Sequence, residues 1–425
     1  MSAALSVYSA AAQIAFPFIR GRLRKSHPTG FAERCGVYDQ SMLERISGRK
    51  TFWLHAVSVG EVQAAAPVVA EVVGAGWDGA VVLSTVTETG AQNAGDLMGA
   101  SLAARVYAPW DIPSIVRRAR GAIRPTLYAS VETEVWPNLL AEMKKNSVPA
   151  LLLNARISDR TFARAGALRR LLGEAYGMFD AILARGEEDA RRLFSMGLTP
   201  GKVVVTGDTK IDAIVGRKKA VESELGGLRK KIFAGGGKTV CFVAGSTHEG
   251  EEETVLDAFS KIASGGLPVG VKLVIAPRHP RRAEAVLSLA RRRFAASLYS
   301  ELNDESGAQV VVVDVIGVLF GLYGLATAAF IGGSLVPKGG QNILEPAVWR
   351  VPVLHGPHME DFADPCSKLD ASKDAFRVDT AGEIETLWRK AAAGELTRRV
   401  ESPEDYFAAN SGAAARTREI LEKYL

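Results

Sequence analysis

Twice along this chain, short continuous apolar runs alternate with segments whose apolar residues recur at helical spacing, and between the two series the alternation lapses. In the first series, runs at 51–57, 80–86, 105–108, 126–131, 150–153, 181–184 and 202–205 are each followed by a polar turn and a helical pattern. The second series begins at 239–244 and continues at 271–276, 309–313, 328–331 and 351–354. A strand that is apolar on every residue must be covered on both faces, which is the condition of a parallel sheet flanked by helices. The fold class predicted is therefore α/β, with two Rossmann-like parallel-sheet domains in tandem. A length of 425 residues agrees, being too great for one ordinary core. The lapse at 214–237, which includes GRKKAVESELGGLRKK and the triplet Gly235, Gly236 and Gly237, marks the junction. The expected organisation is an apolar segment with a basic collar (1–25), a first domain (26–225), a second (226–402), and a last helical pattern (403–425) that packs back on the first. Ligand sites of such domains lie at the carboxyl ends of the strands, so the two would face each other across a cleft.

The amino terminus carries a separate signal. Residues 3–19 are almost wholly apolar and are followed at once by Arg20, Arg22, Arg24 and Lys25. The segment is short of the roughly 20 residues that span a bilayer, and lacks the leading basic residues and cleavage site of a signal peptide. An apolar stretch with a cationic collar predicts an anchor or interfacial helix on the cytoplasmic face of a membrane. The alternative is an apolar helix docked on the protein's own surface. A net charge of +5, with Arg and Lys interspersed among Asp and Glu, suits acidic substrates or an anionic membrane surface and does not predict nucleic acid. The three cysteines, Cys35, Cys241 and Cys366, are far apart and form no CxxC. Neither a disulfide framework nor a metal centre is predicted.

Several motifs fall just beyond predicted strands. In HAVSVGE, Glu61 opens a helix over 61–73, where the helix terminus favours its charged form and makes it a candidate general base. Pro67 places the start of that helix only shortly upstream. In ETEVWPN, strand alternation would point Glu132 and Glu134 to the same side. Lys210, in TGDTKID, is a cation at another strand end. In the second half, Ser246, Thr247 and His248 of GSTHEGEEE suit an anion, a sugar or a helix cap, and Arg278 of PRHP suits a phosphate or a base edge. The stretch from Ala329 to His358 reads as strand, glycine-rich turn and helix start, with paired glycines at 332–333 and 339–340. Glycine permits close approach and helix N–H groups favour an anion, so a phosphate fits the turn and Glu345 fits the two hydroxyls of a ribose. An ordinary strand-to-helix bend would use the same glycines.

Taken in order and at these separations, HAVSVGE, ETEVWPN, NARIS, TGDTKID, GSTHEGEE, PRHP and GGQNILEPA resemble the 3-deoxy-D-manno-octulosonic acid (Kdo) transferases over nearly the whole chain. The resemblance implies a GT-B glycosyltransferase whose first domain holds the lipid acceptor and whose second holds CMP-Kdo. It implies transfer of Kdo to the lipid A precursor lipid IVA, with inversion and without a metal or other cofactor, in lipopolysaccharide synthesis at the inner membrane. Position by position, the family's catalytic base matches Glu61, and Glu132 and Lys210 match two positions that stabilise the transition state. The CMP site maps to Pro277 and Arg278, to the turn of Ile316, Gly317 and Val318, and to Asn342, Ile343, Leu344 and Glu345. The family often has an acid where this chain has Val318. Two other readings are a nucleotide-sugar epimerase of the same fold and a membrane-associated nucleotide- or lipid-binding protein without turnover. Neither accounts for an apolar amino terminus together with Glu61 and Glu132.

Overall fold

The computed structural model describes residues 3–157, 162, 172–233, 239–265, 270–303, 307–396 and 406–425. Contacts divide the chain into two units, one of residues 1–213 with 410–425 and the other of residues 214–409.

The first unit is built on a sheet of β1 (Thr51–His55), β2 (Ala80–Thr85), β3 (Ala104–Tyr107), β4 (Leu127–Val131), β5 (Ala150–Ala155), β6 (Ala181–Ala184) and β7 (Val203–Val205). All are parallel, in the order β3-β2-β1-β4-β5-β6-β7. The chain works outward from β1 to β3, then returns to the other side of β1 with β4, so connections from β1 and β4 diverge and leave a crevice between their carboxyl ends. Alternate residues of each strand fill two cores. Trp53, Tyr128, Leu152 and Ile182 pack on one face. Phe52, Leu54, Leu83 and Leu127 pack on the other, under the helix Val59–Gly74. Each such side chain removed from water contributes about 1.5–3 kcal/mol, which is why the strands read as unbroken apolar runs.

That helix starts two residues upstream of the predicted Glu61, and Pro67 lies inside it, as in the predicted range. Val62, Val68, Val69 and Val72 are fully buried and hold it on the sheet across the missing N–H. The helix Ala413–Leu421 packs beside it, placing Leu421 in the same core. Among the described residues no helix is long and apolar enough to cross a membrane. The amino-terminal segment forms a 24-residue helix, Ala3–Ser26. One side is docked on the first unit through Tyr8 Oη donating to Asp111 (3.0 Å), Ser9 Oγ donating to Asn138 (2.5 Å) and Phe16 against Trp110. The other leaves Val7, Ile14 and Phe18 exposed.

The second unit repeats the plan with β8 (Thr239–Thr247), β9 (Gly270–Pro277), β10 (Ala296–Leu298), β11 (Val310–Val312), β12 (Ala328–Ile331), β13 (Val353–His355) and β14 (Ala375–Arg377), again all parallel, in the order β10-β11-β9-β8-β12-β13-β14. Here the reversal lies between β8 and β12. β10 and β14 have no counterpart among the sequence-predicted strands; each is a three-residue edge strand, too short to show a period. In the core Trp388 stacks on Phe242 with ring centroids 4.5 Å apart. The stretch read as a lapse in pattern contains two helices, Thr209–Glu222 and Leu225–Ile232; the glycine triplet lies outside the described residues.

Candidate functional site

Glu61 stands at the third helical position after Ser58, the residue that opens the helix Val59–Gly74 beyond β1. Its Oε2 accepts from Val57 N–H at 2.5 Å, and Ser58 Oγ lies 3.5 Å from Oε1. The side chain is buried. Burial raises its pKa, the Val57 N–H opposes this, the charges of Glu134 and Glu132 add to the rise and Lys210 offsets part of it; the result is about 7. The helix terminus alone was expected to hold Glu61 ionised. Desolvation and two neighbouring carboxylates override it, leaving a group that can take a proton near neutral pH.

Glu132 follows β4 in the left-handed region, at φ 60°, with its N–H bonded to Leu153 O at 2.8 Å. The strand has ended at Val131, so alternation no longer governs, and the two acids find different partners. Glu132 Oε1 pairs with Lys210 Nζ at 2.5 Å. Glu134 accepts from Trp136 Nε1 at 2.9 Å, which also lies 3.1 Å from His55 Nε2. An indole N–H only donates, so His55 Nε2 is the acceptor and its proton sits on Nδ1, 3.0 Å from Ser84 Oγ. Both carboxylates nonetheless act on Glu61, from the end of β4 across the β1/β4 reversal.

Lys210 is positioned by Asn154 of another motif and by Asp208 and Thr209 of its own. Asn154, at φ 51° in NARIS, accepts from Thr209 N–H (3.0 Å) and donates to Asp208 (3.2 Å), whose carboxylate accepts from Lys210 N–H at 3.0 Å. Thr209 Oγ1 donates to Ala64 O of the Glu61 helix at 2.7 Å. A Cβ on Gly60 would lie 3.7 Å from Lys210 Nζ, so the ammonium reaches the first turn of that helix. Glu61, Glu132 and Lys210 thus come together in the first unit, with Glu134, His55 and Trp136 beside them. His55 was not singled out because a lone histidine ending an apolar strand carries no spacing signal. Ser158 of NARIS lies outside the described residues.

The nucleotide candidates all belong to the second unit, near the carboxyl ends of β8, β9, β11 and β12. Pro277 closes β9 opposite Thr247, and the exposed Arg278 donates its N–H to Thr247 O at 2.9 Å. Ile316 is 88% exposed and Gly317 has φ 98°, so the turn before the helix Leu319–Leu325 stands open; Val318 caps that helix without a side-chain bond. Asn342 Oδ1 accepts from Leu344 N–H at 3.1 Å. Ile343 and Leu344 are buried, which leaves only their backbone groups for a ligand. Glu345 pairs with Arg217 Nη1 at 3.1 Å. Burial raises its carboxyl, and the charges of Arg217 and Arg278 lower it in part, which also places Arg278 near it. Arg217 lies against the Phe320 ring, 4.1 Å from its centroid. It was not anticipated, because the charged run around it read as a junction.

The glycine-rich turn differs from its expected use. Glu251, fully buried on the first turn of the helix Glu251–Ser264, accepts from the N–H groups of Gly333 (2.7 Å), Ser334 (3.0 Å), Leu335 (2.9 Å) and His248 (2.8 Å). The turn does bind an anion, and the anion is internal. Its glycines answer to packing: a Cβ on Gly332 would lie 2.3 Å from Ser246 O, and Gly340, at φ 76°, passes against Met359. The N–H groups of this turn are therefore already engaged. His248 Nε2 is buried with no hydrogen-bond partner among the described residues. Burial lowers the pKa of that ring.

Comparison with known proteins assigns the chain. Residues 29–213 match the family described as 3-deoxy-D-manno-octulosonic-acid transferase (kdotransferase). The 3-deoxy-D-manno-octulosonic acid transferase of Bordetella pertussis is 32% identical over 385 residues, which cover 88% of this chain and 87% of that one. The enzyme of the same name from Haemophilus influenzae is 29% identical over 402 residues, covering 93% and 91%. Among solved structures, a UDP-GlcNAc 2-epimerase from Neisseria meningitidis matches with a TM-score of 0.59 at 14% identity, over 88% of this chain and 100% of that one, a likeness of fold alone. Two parallel-sheet α/β units of this kind resemble the GT-B glycosyltransferases, and by sequence the chain belongs to the Kdo transferase family of glycosyltransferases.

Proposed function

We propose that this protein transfers Kdo from CMP-Kdo to the acylated glucosamine disaccharide lipid IVA, in lipopolysaccharide synthesis at the cytoplasmic face of the inner membrane. The observation that carries the reading is Glu61: a buried carboxyl with a pKa near 7, next to the Glu132–Lys210 pair. Glu61 takes the proton of the acceptor's primary hydroxyl as that oxygen attacks the anomeric carbon of Kdo. The anomeric C–O bond to phosphate breaks and CMP leaves with the electron pair, inverting the centre. Lys210 and Glu132 present fixed charges to the ring and carboxylate of the reacting sugar. Lys210 is a cation supplied by the chain itself, in keeping with transfer that needs no metal. Arg278 meets the phosphate of CMP, Glu345 the ribose hydroxyls, and the open turn at Ile316, Gly317 and Val318 meets the base through its backbone. Asn342, Ile343 and Leu344 shape the ribose pocket.

Membrane attachment is supported by the helix Ala3–Ser26. Its free side carries Val7, Ile14 and Phe18 one or two turns apart and ends in Arg20, Arg22, Arg24 and Lys25, so it suits lying in an anionic lipid interface. The test is mass spectrometry of the product formed from purified protein, CMP-Kdo and acceptor. Addition of Kdo, with CMP release that requires acceptor, is expected. CMP release indifferent to acceptor, or turnover without a change in acceptor mass, overturns the assignment and favours epimerase-like chemistry.

A further inference from the structure

A second cluster of chemically competent side chains lies in the second unit, among residues to which the transfer reaction gives no part. His355 ends β13, and Cys366 and Asp370 stand one turn apart on the helix Ala363–Ala371 that packs beside it. His355 Nε2 lies 3.0 Å from Asp370 Oδ1 and 3.4 Å from Cys366 Sγ, and Sγ lies 3.8 Å from Asp370 Oδ2. A tetrahedral zinc ion holding one imidazole, one thiolate and one carboxylate at their usual lengths sets the donor atoms about 3.3–3.6 Å apart. The Nε2–Sγ separation has that length, and the carboxylate brackets it, with one oxygen 3.0 Å from Nε2 and the other 3.8 Å from Sγ. His355 and Cys366 are buried, whereas 40% of the Asp370 side chain is exposed, which gives an ion a way in and leaves room for a water as fourth ligand.

The other nitrogen of the ring supplies an independent argument. His355 Nδ1 is 2.8 Å from the carbonyl oxygen of Gly356, which can only accept, so Nδ1 carries a proton. In the neutral ring the lone pair of Nε2 then faces the Asp370 carboxylate oxygen at 3.0 Å, a contact between two acceptors, with the Cys366 thiol beside it. Something positive belongs among the three atoms. A proton on Nε2 relieves the contact with Asp370 and leaves the thiol to donate its own proton, whereas a metal ion engages all three groups at once. Imidazole that ligates a metal through one nitrogen and donates from the other to a backbone carbonyl is the usual outer-sphere arrangement.

We propose that His355, Cys366 and Asp370 form a structural site for zinc, or a comparable borderline-soft divalent ion, which fastens the helix Ala363–Ala371 to the end of β13. Sequence spacing hides the site, since two ligands are a helical turn apart and the third comes from a strand. Its effect would reach the glycine-rich turn. Gly356 N–H donates to Ser334 Oγ at 2.7 Å, His358 N–H to Ser334 O at 2.9 Å, and Asp361 N–H to Gly339 O at 3.0 Å, so the loop between strand and helix is the brace of that turn. The ion has no step in sugar transfer.

The test uses the untagged full-length protein, stripped with a chelator and reloaded with zinc or with cobalt(II). One zinc per chain is expected by elemental analysis, with a thiolate-to-cobalt absorption band in the near ultraviolet and a zinc-dependent rise in melting temperature. Cys366→Ser should abolish the band. The exposed Asp370→Asn, which leaves the core untouched, should weaken binding by about 100-fold, the upper end of what disturbing even an outer-sphere partner costs. Absence of stoichiometric zinc in the folded wild type overturns the proposal, as does a band and affinity that both variants retain.

Discussion

Glu61 is less stable in its ionised form inside the protein than in water, and function and stability should both register it. Between the ordinary glutamate pKa and about 7 the folded chain holds a proton that the unfolded chain has lost, so stability falls as pH rises through that window. Glu61→Gln removes the penalty. After solvent screening it amounts to about 1–2 kcal/mol, so the variant should melt higher than wild type at pH 8 and lose that advantage at pH 4, as calorimetry would read. Its transfer rate should fall by about 10²–10⁴-fold at neutral pH and recover in part at high pH, where the hydroxyl ionises more easily. Glu132→Gln, which removes charge and no proton acceptor, should be slow without that recovery in single-turnover rates. Near-normal transfer by Glu61→Gln at pH 7 would move the base to another acid of the cluster. In the second unit, Glu345→Ala should weaken CMP binding about tenfold or more by titration calorimetry, the loss of about 1.5–3 kcal/mol from a charged hydrogen bond. Unchanged affinity would remove Glu345 from the site. Glu61 and Glu345 were legible because each follows a strand and opens a helix. Glu251 was not: an acid on a first turn ordinarily serves its own helix, and nothing local shows that this one serves a turn more than eighty residues away.

At the scale of the element, the helix Ala3–Ser26 has two faces with different tasks. Its inner face is fixed by Tyr8, Ser9 and Phe16, so deleting the segment would uncover Asp111 and Asn138 as well as detach any anchor. Substituting only the outer face separates the two effects. A triple change, Val7→Ser, Ile14→Ser and Phe18→Ser, should leave stability within about 1 kcal/mol, since each side chain already faces solvent. Sedimentation with vesicles of anionic lipid should fall sharply. Full retention on vesicles would place the membrane contact elsewhere. The segment's helicity and its collar were readable in sequence, but the docked face was not, because Tyr8 and Ser9 find partners more than a hundred residues on.

At the scale of the molecule, the chain reverses its course through each sheet once, at β1/β4 in the first and β8/β12 in the second, and the candidate residues lie at the carboxyl ends of the strands in both. The alternation of strands and helices carried that architecture in the sequence, because burial on both faces leaves few other solutions. The chain's return to the first unit was carried less openly. It leaves that unit after Ala213 and rejoins it at Asn410, and one side chain binds the point of return. Asp212 accepts from the N–H groups of Gly412 (2.6 Å) and Ala414 (2.7 Å), so it caps the helix Ala413–Leu421 from two hundred residues away. Arg416 Nε adds a bond to Thr206 O at 2.8 Å, and Leu421 completes the core beneath. Capping by a carboxylate is worth about 0.5–2 kcal/mol, more when the acceptor also closes a loop whose ends would otherwise part. Asp212→Ala should therefore lower the stability of the first unit by about 1–2 kcal/mol in denaturant unfolding. It should also speed amide exchange across 410–425 while leaving CMP affinity intact, because the nucleotide residues belong to the other unit. Asp212→Asn, which keeps one acceptor oxygen, should fall between. Equal protection of the terminal helix in Asp212→Ala and wild type would show that Leu421 and its neighbours hold the chain's return without the cap.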